Sequence, residues 1–382
     1  MEKKMENWFL DESWEKVDTL VVYGFGRVAK AYLELLRKDF TIAYIIDNSV
    51  GENRENYDGI PRVSYQVYKQ ENTSDDKIVV AATGRAWNSI RKSLEEDEKR
   101  EYFDYTDIKS FLGEWYLRFR NRLNIGRVAH SVTQRCTFRC RDCQLLMPYI
   151  KNPQDDSQEM LQGDLDALFS LADYVADFDV MGGETFLYPY LKEYLQYMTG
   201  KYKSRIGNIQ IVTNGSRIPK EEELSLIQKE NIHIRISDYT NEIPYKKKLQ
   251  EFIDKLEEWN ITYFRFPEME WSPFGYPYQE ACVEDTKEAL AEHMKSCGGG
   301  MSHSLHNAKL YFCNTAGGVC ENMDYQMPEE DYIDLKKTAT DPDGKKKLWL
   351  YSMGIMKNGG MSLCRYCNGY DSAEAVPAGV QL

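Results

Sequence analysis

Short apolar strands alternate with amphipathic helices along most of this chain, and this alternation limits its possible folds more than any other feature. Strand patterns lie in residues 127–133, 177–183, 208–215, 232–239 and 261–266, with helical patterns between them. Strands that alternate with helices are typical of parallel sheets, because a crossover helix returns the chain to the same end of the sheet. The pattern therefore predicts the α/β class.

The alternation also predicts the domain organisation. Residues 1–112 contain a first strand–helix series, which predicts a small, doubly wound parallel α/β domain. A linker is expected over residues 113–125, and the second strand–helix series occupies residues 126–268. Residues 269–382 lose the alternation and contain six of the nine cysteines, which predicts an irregular module held by metal.

Composition and charge exclude several classes of protein. The 382 residues include 48 Lys and Arg against 61 Asp and Glu, so the formal charge is −13. Such a chain is a poor general nucleic-acid binder, because that binding depends on neutralising phosphates. We find no apolar run long enough for a membrane helix and no secretory signal. We therefore expect a cytoplasmic protein with neither nucleic acid nor membrane as a partner.

The cysteines cluster as metal ligands do. Their number is odd and the expected compartment is reducing, so a disulfide framework explains them poorly. Cys136, Cys140 and Cys143 form a CxxxCxxC pattern where the first strand of the second series ends. Three thiolates can hold three corners of a cubane cluster and leave the fourth iron open to another molecule. The alternatives are a zinc knuckle and a cluster closed by a distant cysteine.

Further candidate residues follow the later strands of the second series. In α/β barrels and sheets, ligands bind at the carboxyl ends of the strands. The strand ends here carry Gly, Thr, Asn, Ser and acidic residues. The candidates are Gly182, Gly183, Glu184, Thr213, Asn214, Ser237 and Asp238.

These motifs, taken in order, resemble the radical S-adenosylmethionine (radical SAM) superfamily over about residues 126–266. The resemblance lies in the CxxxCxxC loop, the Gly-Gly-Glu sequence at residues 182–184, the Thr-Asn-Gly sequence at 213–215 and the Ser-Asp pair at 237–238. It implies a partial (βα)6 TIM-like barrel with a [4Fe–4S] cluster on the CxxxCxxC loop.

The resemblance also implies roles for the strand-end residues. The Gly-Gly-Glu sequence would hold the methionine amino group of SAM, Thr213 and Asn214 would line the SAM site, and Ser237 and Asp238 would contact its ribose or carboxylate. One electron, from a donor such as flavodoxin or ferredoxin, would cleave SAM to a 5′-deoxyadenosyl radical. Many members have an aromatic residue immediately before the third cysteine, whereas this chain has Asp142.

Four later cysteines, Cys297, Cys313, Cys364 and Cys367, resemble the auxiliary-cluster module called twitch, a relative of SPASM modules. Four thiolates would close every iron of a second [4Fe–4S] cluster, which suits electron transfer. A structural zinc site and unrelated free thiols are the alternatives. The spacing also allows Cys320 to replace Cys313.

Cys282 and Cys320 are left without a cluster in this assignment. A free cysteine most often behaves as a small apolar side chain. The functional alternative is a hydrogen-atom donor to a substrate radical, which would make the enzyme an epimerase.

The first domain carries a dinucleotide-type fingerprint. Gly24, Gly26 and Ala29 fit the GxGxxA pattern, and Asp47 follows the next strand, where it could accept a hydrogen bond from a ribose hydroxyl. The domain resembles small Rossmann-like domains of sugar-modifying enzymes. It is expected either to bind a nucleotide or nucleotide-sugar or to serve as a structural or docking domain.

The resemblance to radical SAM dehydrogenases of aminocyclitols favours an oxidoreductase or epimerase. Its substrate would be a sugar, cyclitol or nucleotide-sugar, and its role carbohydrate biosynthesis. The alternative is a maturase that modifies a ribosomally made peptide. A third reading, in which the clusters only carry electrons, leaves the Gly-Gly-Glu and Thr-Asn-Gly sequences without a purpose.

Overall fold

The computed structural model describes residues 8–71, 76–82, 84–276, 280–297, 300, 302–323, 325–370 and 375–382. The chain divides into two compact units, Met1–Asn124 and Ile125–Leu382. Within the described residues, no helix combines the length and the apolar character needed to cross a membrane.

The first unit is built on a sheet in the order β3-β4-β2-β1-β5-β6. Its strands are β1 Thr19–Tyr23, β2 Thr41–Ile46, β3 Glu55–Tyr57, β4 Ile60–Val63, β5 Lys77–Val80 and β6 Tyr105–Asp107. Its helices are α1 Arg27–Asp39, α2 Tyr65–Glu71, α3 Gly84–Glu96, α4 Ile108–Ser110 and α5 Tyr116–Arg120, with a π-helical segment over Phe111–Trp115. The order reverses between β1 and β5, as in a doubly wound sheet.

Parallel pairing dominates this sheet. Among the described residues, the pairs β1–β2, β1–β5, β2–β4 and β5–β6 are parallel, and the hairpin β3–β4 is antiparallel. Four of the five β1 residues are buried, which explains why this strand is an unbroken apolar run. The parallel α/β arrangement predicted for these residues is confirmed.

The stretch 113–125, expected as a linker, contains helical residues with buried side chains. Trp115 and Tyr116 are almost fully buried, and the Trp115 indole Nε1 donates to the Trp14 carbonyl at 2.7 Å. Phe40 packs edge-on against Trp115, with ring centroids 4.6 Å apart. Aromatic rings with this much buried area stabilise a core, so these residues belong to the packing of the first unit.

The second unit is built on an eight-stranded sheet in the order β11-β10-β9-β8-β7-β13-β14-β15. Its strands are β7 Asn124–Ser131, β8 Tyr174–Met181, β9 Ile206–Thr213, β10 His233–Asp238, β11 Tyr263–Pro267, β13 His303–His306, β14 Lys309–Tyr311 and β15 Tyr332–Asp334. Two further short strands, β12 Glu270–Trp271 and β16 Val376–Pro377, pair separately and antiparallel.

In the part of the second unit that the structure describes, there are eight α-helices. Four of them lie between the parallel strands: α6 Gln158–Leu171, α7 Leu191–Tyr202, α8 Glu221–Glu230 and α9 Lys246–Glu258. The others follow β12: α10 Lys287–Ser296, α11 Asn314–Asn322, α12 Leu335–Ala339 and α13 Gly344–Ser352. The pairs β8–β9, β9–β10 and β10–β11 are parallel, so the α/β class predicted for this region is confirmed.

Residues after 268 extend the same sheet, although the sequence predicts an irregular module there. Strand β13 pairs parallel with β7, with Ser304 opposite Ala129, and β14 and β15 continue the sheet antiparallel. The β13–β14 turn consists of Asn307 and Ala308, both with positive φ. Such a two-residue turn matches the twist of a hairpin.

The packing of helix α9 against the sheet gives a stability test. Phe252 is fully buried on α9, and its ring lies 5.8 Å from that of Phe186. We expect Phe252→Ala to lower the free energy of unfolding of the second unit by about 3–5 kcal/mol, because a large cavity remains. Chemical denaturation followed by circular dichroism measures this change.

Phe264→Ala is the matched control, because Phe264 is 49% exposed on β11. This variant should change the free energy of unfolding by about 0.5 kcal/mol or less. Equal losses in the two variants would contradict the packing described for α9.

Candidate functional site

The loop after β7 brings the first three cysteines into partly or fully buried positions. Burial raises the pKa of the Cys136 thiol to about 12 and that of Cys140 to about 11, and it also raises the pKa of Cys143. Repulsion from Glu184, Cys143 and Cys140 adds to the rise in the pKa of Cys136, so charges within this loop act on one another. Buried sulfurs of this kind ionise when a metal supplies positive charge, and the donor set fits a cluster with one open iron.

Backbone N–H groups of the same loop point at two of these sulfurs. The Phe138 N–H donates to Cys136 Sγ at 3.5 Å. N–H groups of Leu145, Leu146 and Met147 oppose the burial-driven rise in the pKa of Cys143. The loop therefore already provides hydrogen bonds for thiolates.

The two glycines after β8 permit a close approach to the cysteine loop. A Cβ on Gly182 would lie 2.6 Å from the Thr133 carbonyl oxygen. A Cβ on Gly183 would lie 2.3 Å from the Arg135 carbonyl oxygen and 2.9 Å from the Cys136 Cβ. The Gly183 N–H instead donates to the Thr133 carbonyl at 2.9 Å. Any side chain at either position would displace the loop that carries Cys136.

The Glu184 carboxylate is fully buried and joins the ends of two strands. Its Oε1 accepts from Thr213 Oγ1 at 2.6 Å and from the Phe186 N–H at 3.2 Å, and its Oε2 accepts from the Asn214 N–H at 2.8 Å. Burial raises its pKa to about 7 despite these hydrogen bonds. In the structure this carboxylate holds the end of β9, and its contact with the amino group of SAM stays a prediction.

Asn214 connects the end of β9 to the cysteine loop. Its Nδ2 donates to Thr137 Oγ1 at 3.0 Å and lies 3.9 Å from Cys136 Sγ. Its carbonyl accepts from the Tyr245 hydroxyl at 2.9 Å. Asn214 and Thr213 therefore lie at the site where the sequence predicts them, beside the first cysteine.

Ser237 and Asp238 are buried at the end of β10. The Asp238 Oδ2 accepts from Arg265 Nε at 2.9 Å, and its Oδ1 accepts from the Thr240 N–H at 2.8 Å. Burial alone would raise the pKa of Asp238, but these hydrogen bonds and the Arg265 charge hold it below its usual value. Asp238 thus fixes the turn after β10, and Arg265 already neutralises its charge.

Four cysteines of the later region also come together. Burial raises the pKa of Cys364 well above its usual value, and repulsion from Cys297, Cys313 and Cys367 raises it further. The Cys313 sulfur caps α11 by accepting from the Ala316 N–H at 3.4 Å, and Cys367 Sγ accepts from the Gly369 N–H at 3.4 Å. These four sulfurs are the set that the sequence assigns to an auxiliary cluster.

Cys297 lies beside Gly369, which follows Cys367 by two residues, and it therefore belongs to this group. A Cβ on Gly369 would lie 3.6 Å from Cys297 Sγ, and Gly369 has a φ of +74°. Among the residues that the structure describes, no group of three His, Cys, Asp or Glu side chains could hold a single metal ion.

Cys320 and Cys282 occupy different surroundings. Burial raises the pKa of Cys320 to about 12, and the charges that act on it come from Glu321, Lys309 and Asp331. Cys320, like Cys313, packs against the apolar cluster that contains Cys364. Cys282 is exposed, and its thiol donates to the Arg365 carbonyl at 3.3 Å. Their role as hydrogen-atom donors stays a prediction.

In the first unit, the predicted nucleotide-binding residues differ in how closely they are packed and in whether they are already paired. Gly24 has a φ of +103°, and a Cβ there would lie 3.0 Å from the Ala81 carbonyl oxygen, whereas a Cβ on Gly26 would meet open space. The Asp47 carboxylate accepts from Arg62 Nε and from the Ser49 N–H, each at 3.0 Å. Asp47 is already paired with Arg62. Nucleotide binding by this domain stays a prediction.

Sequence reasoning missed a link between the two cysteine groups. The Gln144 amide, next to Cys143, donates to the Tyr370 hydroxyl. Burial raises the pKa of Tyr370, and the charges of Cys313, Cys297 and Cys367 contribute, so its ring lies beside the second group. Neither residue belongs to a spacing pattern. A cavity of about 230 Å³ opens beside Cys143, Tyr276 and Thr315.

Three solved structures are similar to parts of this chain. BtrN in complex with AdoMet and 2-DOIA has 14% identity and a TM-score of 0.41, and covers 65% of this chain and 95% of its own. Native anSMEcpe with bound AdoMet and Cp18Cys peptide has 10% identity and a TM-score of 0.39, with coverages of 68% and 93%. Streptococcus suis SuiB bound to S-adenosylmethionine has 12% identity and a TM-score of 0.32, with coverages of 57% and 44%.

All three structures contain bound S-adenosylmethionine (AdoMet). No protein-family model matches the sequence, and no curated protein matches it.

The close approach of β8 to the cysteine loop gives a test of the site. We expect Gly183→Ala to reduce the iron content of the anaerobically reconstituted protein severalfold, because a Cβ 2.3 Å from the Arg135 carbonyl must move the loop. Iron and acid-labile sulfide assays measure the loss.

Gly200→Ala is the control for this substitution. Gly200 lies within α7, and nothing lies within 4 Å of a Cβ placed there. This variant should keep its iron and gain about 0.5–1 kcal/mol of stability, because alanine favours the helix. Normal iron content in Gly183→Ala would contradict the described packing.

Proposed function

We propose that this protein is a radical SAM enzyme that abstracts hydrogen from a sugar, cyclitol or nucleotide-sugar. The observation that carries the proposal is the convergence of two strand ends, those of β8 and β9, on the CxxxCxxC loop. Gly183 packs against Arg135 and Cys136, and Asn214 reaches Thr137. A zinc knuckle would not need these strand-end contacts, whereas a site that binds a ligand beside an open iron does.

The proposed ligands of the SAM cluster are Cys136, Cys140 and Cys143. The three thiols are partly or fully buried, which would limit the access of water to a bound cluster and protect a reactive intermediate from side reactions. When bound, the cluster and SAM supply a one-electron cleavage of the sulfonium C–S bond, giving the 5′-deoxyadenosyl radical that takes the hydrogen atom.

The strand-end residues are proposed to hold and orient SAM. Gly182 and Gly183 expose backbone to the site because neither has a side chain. Glu184 fixes the end of β9 through Thr213 and the Asn214 N–H, so Asn214 stays beside Cys136. In this proposal Glu184 acts through Asn214, and its buried carboxylate positions the SAM site without touching substrate.

Cys297, Cys313, Cys364 and Cys367 are proposed to hold an auxiliary [4Fe–4S] cluster. Four thiolates leave no iron open, so this cluster would accept or pass on an electron without binding substrate. Cys313 is preferred to Cys320 as the ligand because the charges that act on Cys364 come from Cys297, Cys313 and Cys367.

An electron-accepting cluster suits oxidation of an alcohol carbon. Loss of a hydrogen atom from the carbon, then of a proton from the hydroxyl and one electron to the cluster, turns the alcohol into a carbonyl. We therefore favour an oxidoreductase acting on a sugar-type substrate. Epimerisation would instead need a hydrogen-atom donor, for which Cys282 and Cys320 are the candidates. The second proposal is a peptide maturase, which uses the same hydrogen abstraction.

SAM cleavage gives the direct test of this proposal. With dithionite and SAM under anaerobic conditions, the reconstituted protein should release 5′-deoxyadenosine, measured by liquid chromatography. Cys140→Ala should reduce this release at least a hundredfold, because a corner ligand of the cluster is lost. Cys320→Ala, which leaves the cluster loop intact, should retain it. Equal release from Cys140→Ala and the parent protein would refute the ligand assignment.

Metal analysis tests the auxiliary cluster separately. The parent protein should contain about eight iron and eight sulfide per chain, as two cubanes require. We expect Cys364→Ala to lose about four of each, whereas Cys320→Ala should lose none. About four iron and one zinc in the parent protein would instead assign the later cysteines to a structural site.

Deuterium labelling separates the substrate classes. With a sugar-type substrate in D₂O, an oxidoreductase gives a carbonyl product without deuterium at the reacting carbon. An epimerase would introduce deuterium there, because a cysteine thiol exchanges with solvent. Deoxyadenosine release that depends on a ribosomally made peptide, and not on any sugar, would favour the maturase.

A further inference from the structure

Residues 378–382 lie along the cysteine loop and pair with it as a short antiparallel segment. Cys140 and Gln381 form an antiparallel bridge. The Arg141 N–H donates to the Val380 carbonyl at 2.7 Å, and the Leu382 N–H donates to the Arg139 carbonyl at 2.9 Å. The segment is thus held on both sides of Cys140.

The Gln381 side chain makes a second layer of contacts with this loop. Its Oε1 accepts from the Arg139 N–H at 2.7 Å, and its Nε2 donates to Cys140 Sγ at 3.2 Å and to the Gly379 carbonyl at 2.7 Å. The reverse amide orientation would turn Nε2 toward another donor and Oε1 toward the sulfur. These partners therefore fix the amide with its N–H on the sulfur.

The rest of the segment is docked against the second unit. Ala378 is fully buried, and its N–H donates to the Met269 carbonyl at 3.1 Å. A Cβ on Gly379 would lie 3.2 Å from Tyr239, and its φ is +85°. The contacts of Ala378 and Gly379 therefore place Gln381 beside Cys140.

The hydrogen bond to Cys140 comes from a residue much further along the sequence than the backbone N–H groups near the other loop sulfurs. Cys136 accepts from the N–H of Phe138, two residues away, and the donors to Cys143 lie in Leu145, Leu146 and Met147. Cys140 accepts from Gln381, which lies 241 residues away in the sequence. Distant side-chain amides thus approach two cysteines of the loop, and the contact of Gln381 Nε2 with Cys140 Sγ at 3.2 Å is shorter than that of Asn214 Nδ2 with Cys136 Sγ at 3.9 Å.

We propose that Gln381 is a positioning residue that raises the reduction potential of the SAM cluster by donating its amide N–H to the Cys140 sulfur. Reduction adds negative charge to the cluster and its thiolates, so a donor on a sulfur stabilises the reduced form more than the oxidised form. The inference rests on the proposed function, because it needs Cys140 to be a cluster ligand.

A potentiometric titration of the anaerobically reconstituted full chain tests the inference. The cluster is followed through the EPR signal that SAM perturbs, which separates it from the auxiliary cluster. Gln381→Ala removes the donor. Gln381→Glu keeps an acceptor for the Arg139 N–H and places a carboxylate oxygen against the sulfur. Leu382→Ala is the control, because Leu382 pairs with the loop through its backbone.

We expect Gln381→Ala to lower the ratio of reduced to oxidised cluster at a fixed potential about tenfold, a shift of about 59 mV for one electron. Gln381→Glu should shift the potential further in the same direction, and Leu382→Ala should titrate like the parent protein. Iron content should stay unchanged in all three variants. If Gln381→Ala binds less iron than the parent protein, the reduction potential of Gln381→Glu tests the inference instead. Gln381→Glu keeps the acceptor of the hydrogen bond from the Arg139 N–H.

Three outcomes overturn the inference. The first is an unchanged potential in both Gln381 variants, and the second is an equal shift in Leu382→Ala. The third is loss of iron in both Gln381 variants, since Gln381 would then hold the loop and not set the potential. If the parent protein itself shows no signal that SAM perturbs, the proposed function fails instead.

Discussion

Burial of the cysteine sulfurs is the constraint on which the candidate site depends. An apolar environment opposes thiolate formation, and the pKa of each cysteine in the first loop is raised for this reason. Such sulfurs remain neutral unless a positive charge is bound among them. The same argument applies to the later group around Cys364. A bound metal cluster would supply this positive charge to either group of sulfurs. Its binding would therefore stabilise the folded chain.

The strand ends keep the first group in place through close backbone contacts and one buried carboxylate. Two glycines allow β8 to touch the loop, and Glu184 links the next strand to it through Thr213 and Asn214. Gln381 also contacts the loop, although it lies 241 residues from Cys140 in the sequence. The geometry around Cys136 and Cys140 is thus determined by contacts from several distant segments.

The sequence predicts those features that depend on local pattern. Strand–helix alternation predicts the parallel α/β class, and spacing groups Cys136 with Cys140 and Cys143. Features that depend on tertiary contacts cannot be predicted from local sequence pattern. The burial of Trp115 and Tyr116 in the expected linker follows from their packing partners, and strands β13 to β15 are too short for a clear pattern. Gln381 carries no motif, because a single amide becomes informative only when the fold brings it to a sulfur.

The central claim is that the loop of Cys136, Cys140 and Cys143 holds a cubane with one iron free for SAM. The most direct measurement is the EPR spectrum of the anaerobically reconstituted, dithionite-reduced Cys364→Ala variant, recorded with and without SAM. The account predicts a reduced-cubane signal whose g-values change when SAM is added. A signal that SAM leaves unchanged, or no cubane signal, would contradict it.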